Sequence, residues 1–147
     1  MSTPSPLDAL CSASGALHHE APDAKEFAGL MKSGETRLAD PERTENSLES
    51  RFDLGYNAAH ALCLAALRHA GYRSAKRYIV FQTLPHTLGL GPETWRVLDH
   101  AHNVRNRSEY EGDLSVDERL LADLINACKT VLASLRKLPP LNSRRDQ

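Results

Sequence analysis

Polar side chains suited to ligand binding or proton transfer are concentrated in one short stretch, residues 100–111. Residues three and four positions apart share a face of a helix, so a helix here would bring several of these side chains together. They are His102, Arg105, Asn106, Glu109 and Tyr110. The simpler interpretation, which spacing alone favours, is a surface ion pair between Arg105 and Glu109 worth about 0.3–0.5 kcal/mol.

Other kinds of chemistry find little support in the sequence. The chain has no Cys-x2-Cys or His-x3-His spacing, and on a helix His100 and His102 would point about 200° apart. It also lacks a glycine-rich phosphate loop, a Ser-His-Asp order and a paired-carboxylate motif. We therefore predict no metal and no cofactor. His60, among Ala and Leu, is predicted to be a core or interface histidine bonded to a backbone or Tyr group.

The charge balance argues against a general affinity for nucleic acid. Eighteen Lys and Arg against nineteen Asp and Glu give the 147 residues a formal net charge of −1, so any nucleic-acid contact needs a local basic patch. The candidates are Arg73, Lys76 and Arg77, which we expect to be a solvated helix face, and the pair Arg105 and Arg107.

The cysteines and the apolar segments bear on the compartment. Cys11, Cys63 and Cys128 are odd in number and widely spaced, which predicts reduced and mostly buried thiols. The longest apolar segment, residues 58–67, is too short to cross a bilayer. These features predict a cytoplasmic protein with no membrane association.

Apolar residues recur with helical period along most of the chain, and no convincing strand alternation appears. Helices are predicted over residues 7–19, 23–39, 46–70 and 74–88, from Pro92 past Arg105, and over residues 115–135. Asn46 and Ser115 would begin two of them in capping boxes, and Gly71 would end the third. The third helix is rich in alanine, so neighbouring helices can approach it closely, which predicts a central position.

The fold expected from these elements is all-α, an antiparallel up-and-down helical bundle of five to six helices. Residues 1–140 would form a single domain with its core at about 23–138. Residues 141–147 are predicted to be a disordered tail.

Two motifs stand out, one in the third predicted helix and one at residues 105–112. Tyr56 is followed by small residues over 57–67 and by the closing Gly-x-Arg of Gly71, Tyr72 and Arg73. This pattern resembles a helix of the HEPN superfamily of helical nucleotide-binding domains, and residues 105–112 look like the polar motif near the start of the last helices of that family. With the helical pattern between them, the resemblance covers roughly residues 49–135.

The resemblance implies a helical bundle, usually a homodimer, whose active members cleave RNA without a metal through Arg-x(4–6)-His. Arg105 would match the arginine and Asn106 the polar residue that together hold the scissile phosphate. Tyr110 stands where the histidine is expected. A phenol, whose ordinary pKa is about 10, is a poor proton shuttle at neutral pH. His100 and His102 precede Arg105 in the sequence, whereas the histidine of the family pattern follows the arginine.

The resemblance therefore favours a HEPN-like domain with little or no catalysis. Such a domain would bind RNA, a nucleotide or a protein partner through Arg105, Asn106, Glu109 and Tyr110. A nucleotidyltransferase partner in a toxin–antitoxin or defence system would fit the family. One alternative is a metal-independent endoribonuclease using Arg105, with His102 as a further candidate. The other is a bundle that serves only protein interaction.

Overall fold

The computed structural model describes residues 6–14, 17–39, 47–111 and 116–141, and their side chains except those of residues 12–14 and 108–111. The predicted all-α helical bundle is confirmed: within these ranges there are seven helices and one pair of two-residue strands. In chain order they are α1 (Pro6–Ser14), β1 (His18–His19), α2 (Ala24–Ala39), α3 (Leu48–His69), β2 (Tyr72–Arg73), α4 (Arg77–Gln82), α5 (Leu84–Thr87), α6 (Pro92–Glu111) and α7 (Glu118–Arg136).

The central helix is α3, as its alanine-rich sequence predicts. It packs against α2, α7 and α4, and most of its residues are buried. The side chain of Ser47 caps it by accepting a hydrogen bond from the Ser50 backbone N–H at 3.1 Å. The predicted cap Asn46 lies outside the described residues. Gly71, with φ of +96°, follows its carboxyl end as predicted, in a conformation that glycine tolerates best.

Asp23 caps the helix α2: its carboxylate accepts hydrogen bonds from the backbone N–H groups of Lys25 and Glu26 at 2.9 and 3.1 Å. Further along, α2 approaches α3 very closely. A Cβ added to Gly34 would lie 2.4 Å from Leu62 Cδ2. The absence of a side chain at Gly34 therefore sets the spacing of these two helices.

The helix predicted over residues 7–19 is wrong over residues 17–19. The helix α1 ends at Ser14, and β1 instead pairs antiparallel with β2, with His18 opposite Arg73 and His19 opposite Tyr72. The Tyr72 hydroxyl also donates to the Asp8 carboxylate. A strand partner more than 50 residues away in sequence overrides the local helical pattern.

A buried guanidinium, that of Arg68 at the end of α3, secures the chain between β1 and α2. Its side chain is 1% exposed and donates to the backbone carbonyls of Glu20, Ala21 and Tyr72 and to the Glu26 carboxylate. Arg73 pairs with the carboxylates of Glu20 and Glu26. Burial alone would raise the pKa of Glu26, but hydrogen bonds from Arg73 and Arg68 outweigh it and hold that pKa below its ordinary value.

The helix predicted over residues 74–88 is divided, which raises the helix number above the predicted five to six. The helix α4 ends at Gln82, Thr83 forms a turn and α5 follows. Pro85 lacks a backbone N–H, so an uninterrupted helix would lose a hydrogen bond there. The side chain of Ser74 accepts from the Lys76 backbone N–H, and α4 begins after it.

The last two helices complete the core. The helix α6 starts at Pro92, as predicted. The helix α7 is capped by Asp117, which accepts from the Leu120 backbone N–H at 2.7 Å, whereas the predicted cap Ser115 lies outside the described residues. Of the predicted tail, only residue 141 is described.

The cysteines in the described ranges are free, and Cys63 and Cys128 are buried as predicted. Burial raises the pKa of the Cys128 thiol to about 12. Among the described helices, none combines the length and the apolar character needed to span a bilayer.

Candidate functional site

A polar cluster is built around Tyr56, where α3, α4 and α6 meet. The Tyr56 ring is 1% exposed and packs edge-on against Phe81 of α4, with 5.8 Å between ring centroids. Its hydroxyl oxygen lies 2.8 Å from Nδ1 of His102 on α6. A buried phenol needs such a partner, so this contact fixes α6 against α3.

His102 is held from both sides of its ring. One helical turn further along α6, the side-chain amide nitrogen Nδ2 of Asn106 lies 3.1 Å from His102 Nε2. Each ring nitrogen of His102 therefore has a polar partner, the Tyr56 hydroxyl at Nδ1 and the Asn106 amide at Nε2. The helical spacing therefore brings His102 and Asn106 together as expected.

Two guanidinium groups lie over the same tyrosine ring. The Cζ atom of Arg105 is 4.7 Å from the Tyr56 ring centroid, and that of Arg77 is 5.5 Å from it. Arg105 Nε lies 3.8 Å from an Asp53 carboxylate oxygen, and Arg77 Nη1 donates to Asn57 Oδ1 at 3.3 Å. In the part of the chain that the structure describes, the cluster brings two guanidinium groups to one ring, and guanidinium N–H groups are donors that suit an anion.

His60 stands one turn after Tyr56 on α3 and is half-buried. Burial, together with the nearby charges of Arg77 and His102, lowers the pKa of His60 to about 4. It is therefore neutral at pH 7. The predicted hydrogen bond to a backbone or Tyr group is wrong for the part of the chain that the structure describes. There the imidazole ring instead contacts Phe81 edge-on, at 6.3 Å between centroids.

The predicted site residues are placed as follows. Arg105, Asn106 and His102 belong to the cluster. Glu109 and Tyr110 lie on the same helix, but their side chains are outside the described part, so the predicted pairing of Arg105 with Glu109 stays a prediction. His100 and Arg107 are exposed.

The basic residues that follow Gly71 do not form one solvated face. Arg73 is paired with two carboxylates, Lys76 is exposed, and Arg77 reaches the Tyr56 ring. The expectation of a single solvated face is therefore wrong for Arg73 and Arg77, because acidic and aromatic partners from other elements meet them.

No family model, no curated protein and no solved structure matches this chain.

Sequence reasoning did not place Tyr56, Arg77 and Asp53 beside Arg105, although Tyr56 belongs to the first motif and Arg77 to a candidate basic patch. Tyr56 and Asp53 are three residues apart on α3, and Arg77 is on α4, so only the packing of three helices joins them to Arg105. One signal was available. A tyrosine inside an alanine-rich central helix needs a partner for its hydroxyl, and His102 is a suitable acceptor or donor.

The donors in the cluster suit an anion better than a cation. Guanidinium groups bind phosphate oxygens through paired N–H donors, and a carboxamide can add one more. Within the described ranges there is no group of three or more His, Cys, Asp or Glu side chains arranged for a metal ion. The arrangement can thus hold a phosphate beside the imidazole of His102.

Proposed function

We propose that this chain is a HEPN-like domain that binds a phosphate group of RNA or of a nucleotide, with little or no catalysis. The observation that carries the proposal is the convergence of Arg105 and Arg77 on the Tyr56 ring. A guanidinium fits phosphate geometry, and its charge persists at every physiological pH. The resemblance of residues 105–112 to the HEPN polar motif points to the same ligand.

The preference for binding over catalysis follows from His102. A general base needs an accessible nitrogen lone pair within reach of the proton it removes. In this site Nδ1 contacts the Tyr56 hydroxyl and Nε2 contacts the Asn106 amide. His102 therefore acts as a positioning residue that orients Tyr56 and Asn106.

The test measures binding of a short, labelled single-stranded RNA by fluorescence anisotropy at fixed salt. Arg105→Ala removes a charge-assisted hydrogen bond worth roughly 1.5–3 kcal/mol, so affinity should fall about 10- to 100-fold. Arg77→Ala should weaken binding in the same direction. The slope of log affinity against log salt should also become shallower by about 0.7 for each phosphate that the variant no longer neutralises.

The matched control is Arg107→Ala, because Arg107 lies two residues from Arg105 on α6 and is exposed. It removes the same charge outside the cluster and should change affinity less than about threefold. Equal losses of affinity for Arg105→Ala and Arg107→Ala would mean that only net charge matters. Unchanged affinity in both, or no RNA binding by the wild type, would instead favour the bundle that serves protein interaction.

A second function, metal-independent endoribonuclease, has one observation in its favour: an imidazole and two guanidiniums surround the same tyrosine. If Asn106 moved away, Nε2 of His102 could accept a proton from the ribose. Cleavage of single-stranded RNA in the presence of a chelator, abolished in both His102→Ala and Arg105→Ala, would establish it. The absence of cleavage across varied RNA sequences would exclude it. The Tyr110→His variant tests in addition whether restoring the histidine of the family's Arg-x(4–6)-His pattern restores RNA cleavage.

The proposal extends to partners through the resemblance alone. A homodimer, a nucleotidyltransferase partner and a role in a toxin–antitoxin or defence system are the expectations that the HEPN motifs carry. Light scattering at micromolar concentration tests the first of these, and a monomer would remove it without affecting the phosphate site.

A further inference from the structure

One aromatic side chain beside the cluster is turned toward water. Tyr78 is 40% exposed, and in the part of the chain that the structure describes no other large hydrophobic side chain is as open to solvent. Single exposed rings are common on protein surfaces, so the position of this ring beside the cluster matters more than its exposure. An open ring next to two guanidinium groups is available to stack on a ligand held there.

The ring is held in place by its own helix. Tyr78 is followed on α4 by Ile79, Val80 and Phe81, all of them buried. These three residues anchor the short helix in the core, so Tyr78 cannot turn inward without removing one of them from it. The packing of α4 therefore keeps this ring on the outside of the core, as a platform open to solvent.

The platform borders the proposed phosphate site. The centroid of the Tyr78 ring lies 6.4 Å from that of the His102 ring, and the two planes are tilted by 39°. Arg77, the preceding residue, extends over the Tyr56 ring, as Arg105 does from α6. An anion held by the two guanidiniums would therefore have an aromatic face within the reach of one nucleotide.

We propose that Tyr78 stacks on an unpaired nucleobase of the strand whose phosphate Arg77 and Arg105 hold, so that the site selects single-stranded RNA. This inference rests on the proposed function and specifies its ligand. Single-stranded nucleic acid is bound by pairing a basic groove for the backbone with aromatic rings for the bases. In duplex RNA the bases are already stacked and cannot reach such a ring.

The experiment compares wild type, Tyr78→Ala and Tyr78→Phe on three RNA probes of equal length. The probes are a single strand, the same strand with abasic sites throughout, and a blunt duplex. Tyr78→Ala loses the stacking on one base, so it should bind the intact single strand roughly 5- to 100-fold more weakly than the wild type does. Tyr78→Phe should bind like the wild type because stacking does not need the hydroxyl. The abasic strand should bind wild type and Tyr78→Ala equally.

The outcomes separate the two proposals. If Arg105→Ala weakens binding of the intact strand but Tyr78→Ala does not, the stacking inference is overturned and the phosphate site stands. If Tyr78→Ala weakens the binding of the intact and abasic strands equally, the stacking inference is also overturned, because the ring would then contact the sugar–phosphate backbone and not a base. If the wild type binds none of the probes, both proposals fail, and the exposed ring is better assigned to a protein partner. Because Tyr78 is exposed, far-ultraviolet circular dichroism should be the same in all variants.

Discussion

Replacing Arg68 by methionine tests how the segment between β1 and α2 is secured. The guanidinium is buried and donates to three backbone carbonyls, those of Glu20, Ala21 and Tyr72, and to the Glu26 carboxylate. Methionine keeps much of the aliphatic packing and removes every donor. The Arg68→Met change therefore measures the polar interactions rather than the volume.

The expected magnitude follows from those four hydrogen bonds. At roughly 1 kcal/mol each, their loss costs about 4 kcal/mol, in line with the about 3–5 kcal/mol observed when a buried ion pair loses one partner. Glu26 keeps Arg73 as a partner, so its carboxylate is not left as an unpaired buried charge. A loss of this size is a large part of the about 5–15 kcal/mol that stabilises a typical domain.

Arg73→Met is the matched control. Arg73 contacts the same two carboxylates, Glu20 and Glu26, but its side chain is 37% exposed whereas that of Arg68 is 1% exposed. Its removal should cost no more than about 1 kcal/mol. Urea denaturation followed by far-ultraviolet circular dichroism gives both free energies of unfolding. A loss below about 1 kcal/mol for Arg68→Met, or one no larger than that for Arg73→Met, would refute the reasoning.

Two further changes probe packing and charge. Gly34→Ala should destabilise the fold by about 1–3 kcal/mol because its Cβ would overlap Leu62. The control is Gly29→Ala on the same helix, whose Cβ would meet nothing within 4 Å and which should stabilise the fold by about 0.5–1 kcal/mol. Equal effects of the two changes in thermal melts would contradict this. In the folded protein the pKa of His60 lies at about 4, below its ordinary value of 6.5. As the pH falls, the imidazole of the unfolded chain therefore takes up a proton before that of the folded chain. Stability should therefore fall by about 2–3 kcal/mol as the pH drops from 6.5 to 4. His60→Gln should remove that part of the pH dependence in urea titrations, and an unchanged profile would exclude it.

Elements governed by neighbours in sequence were predictable. The central place of α3 follows from its alanine content, the stop at Gly71 from glycine's freedom at positive φ, and the contact of His102 with Asn106 from helical spacing. Each of these depends on residues within a turn or two of each other. Local chemistry was enough to place them.

Features that depend on distant residues were not predictable. The strand at His18 and His19 forms only because residues 72–73 lie beside it, and the burial of Arg68 depends on carbonyls 47 and 48 residues away. In the site, Arg77 joins Arg105 through a ring on a third helix. Periodicity identifies the face on which a residue lies, but it does not identify the helix that will meet that face.

The pairing of β1 with β2 has a consequence for the site. Only residues 74–76 separate β2 from α4, the helix that carries Arg77 and Tyr78. The start of that helix is therefore positioned by His18 and His19, which pair with β2. In the part of the chain that the structure describes, these two residues neither line the cluster nor contact Tyr56. Separating the amino-terminal segment from Tyr72 would therefore remove a support of α4 and, with it, of Arg77 and Tyr78.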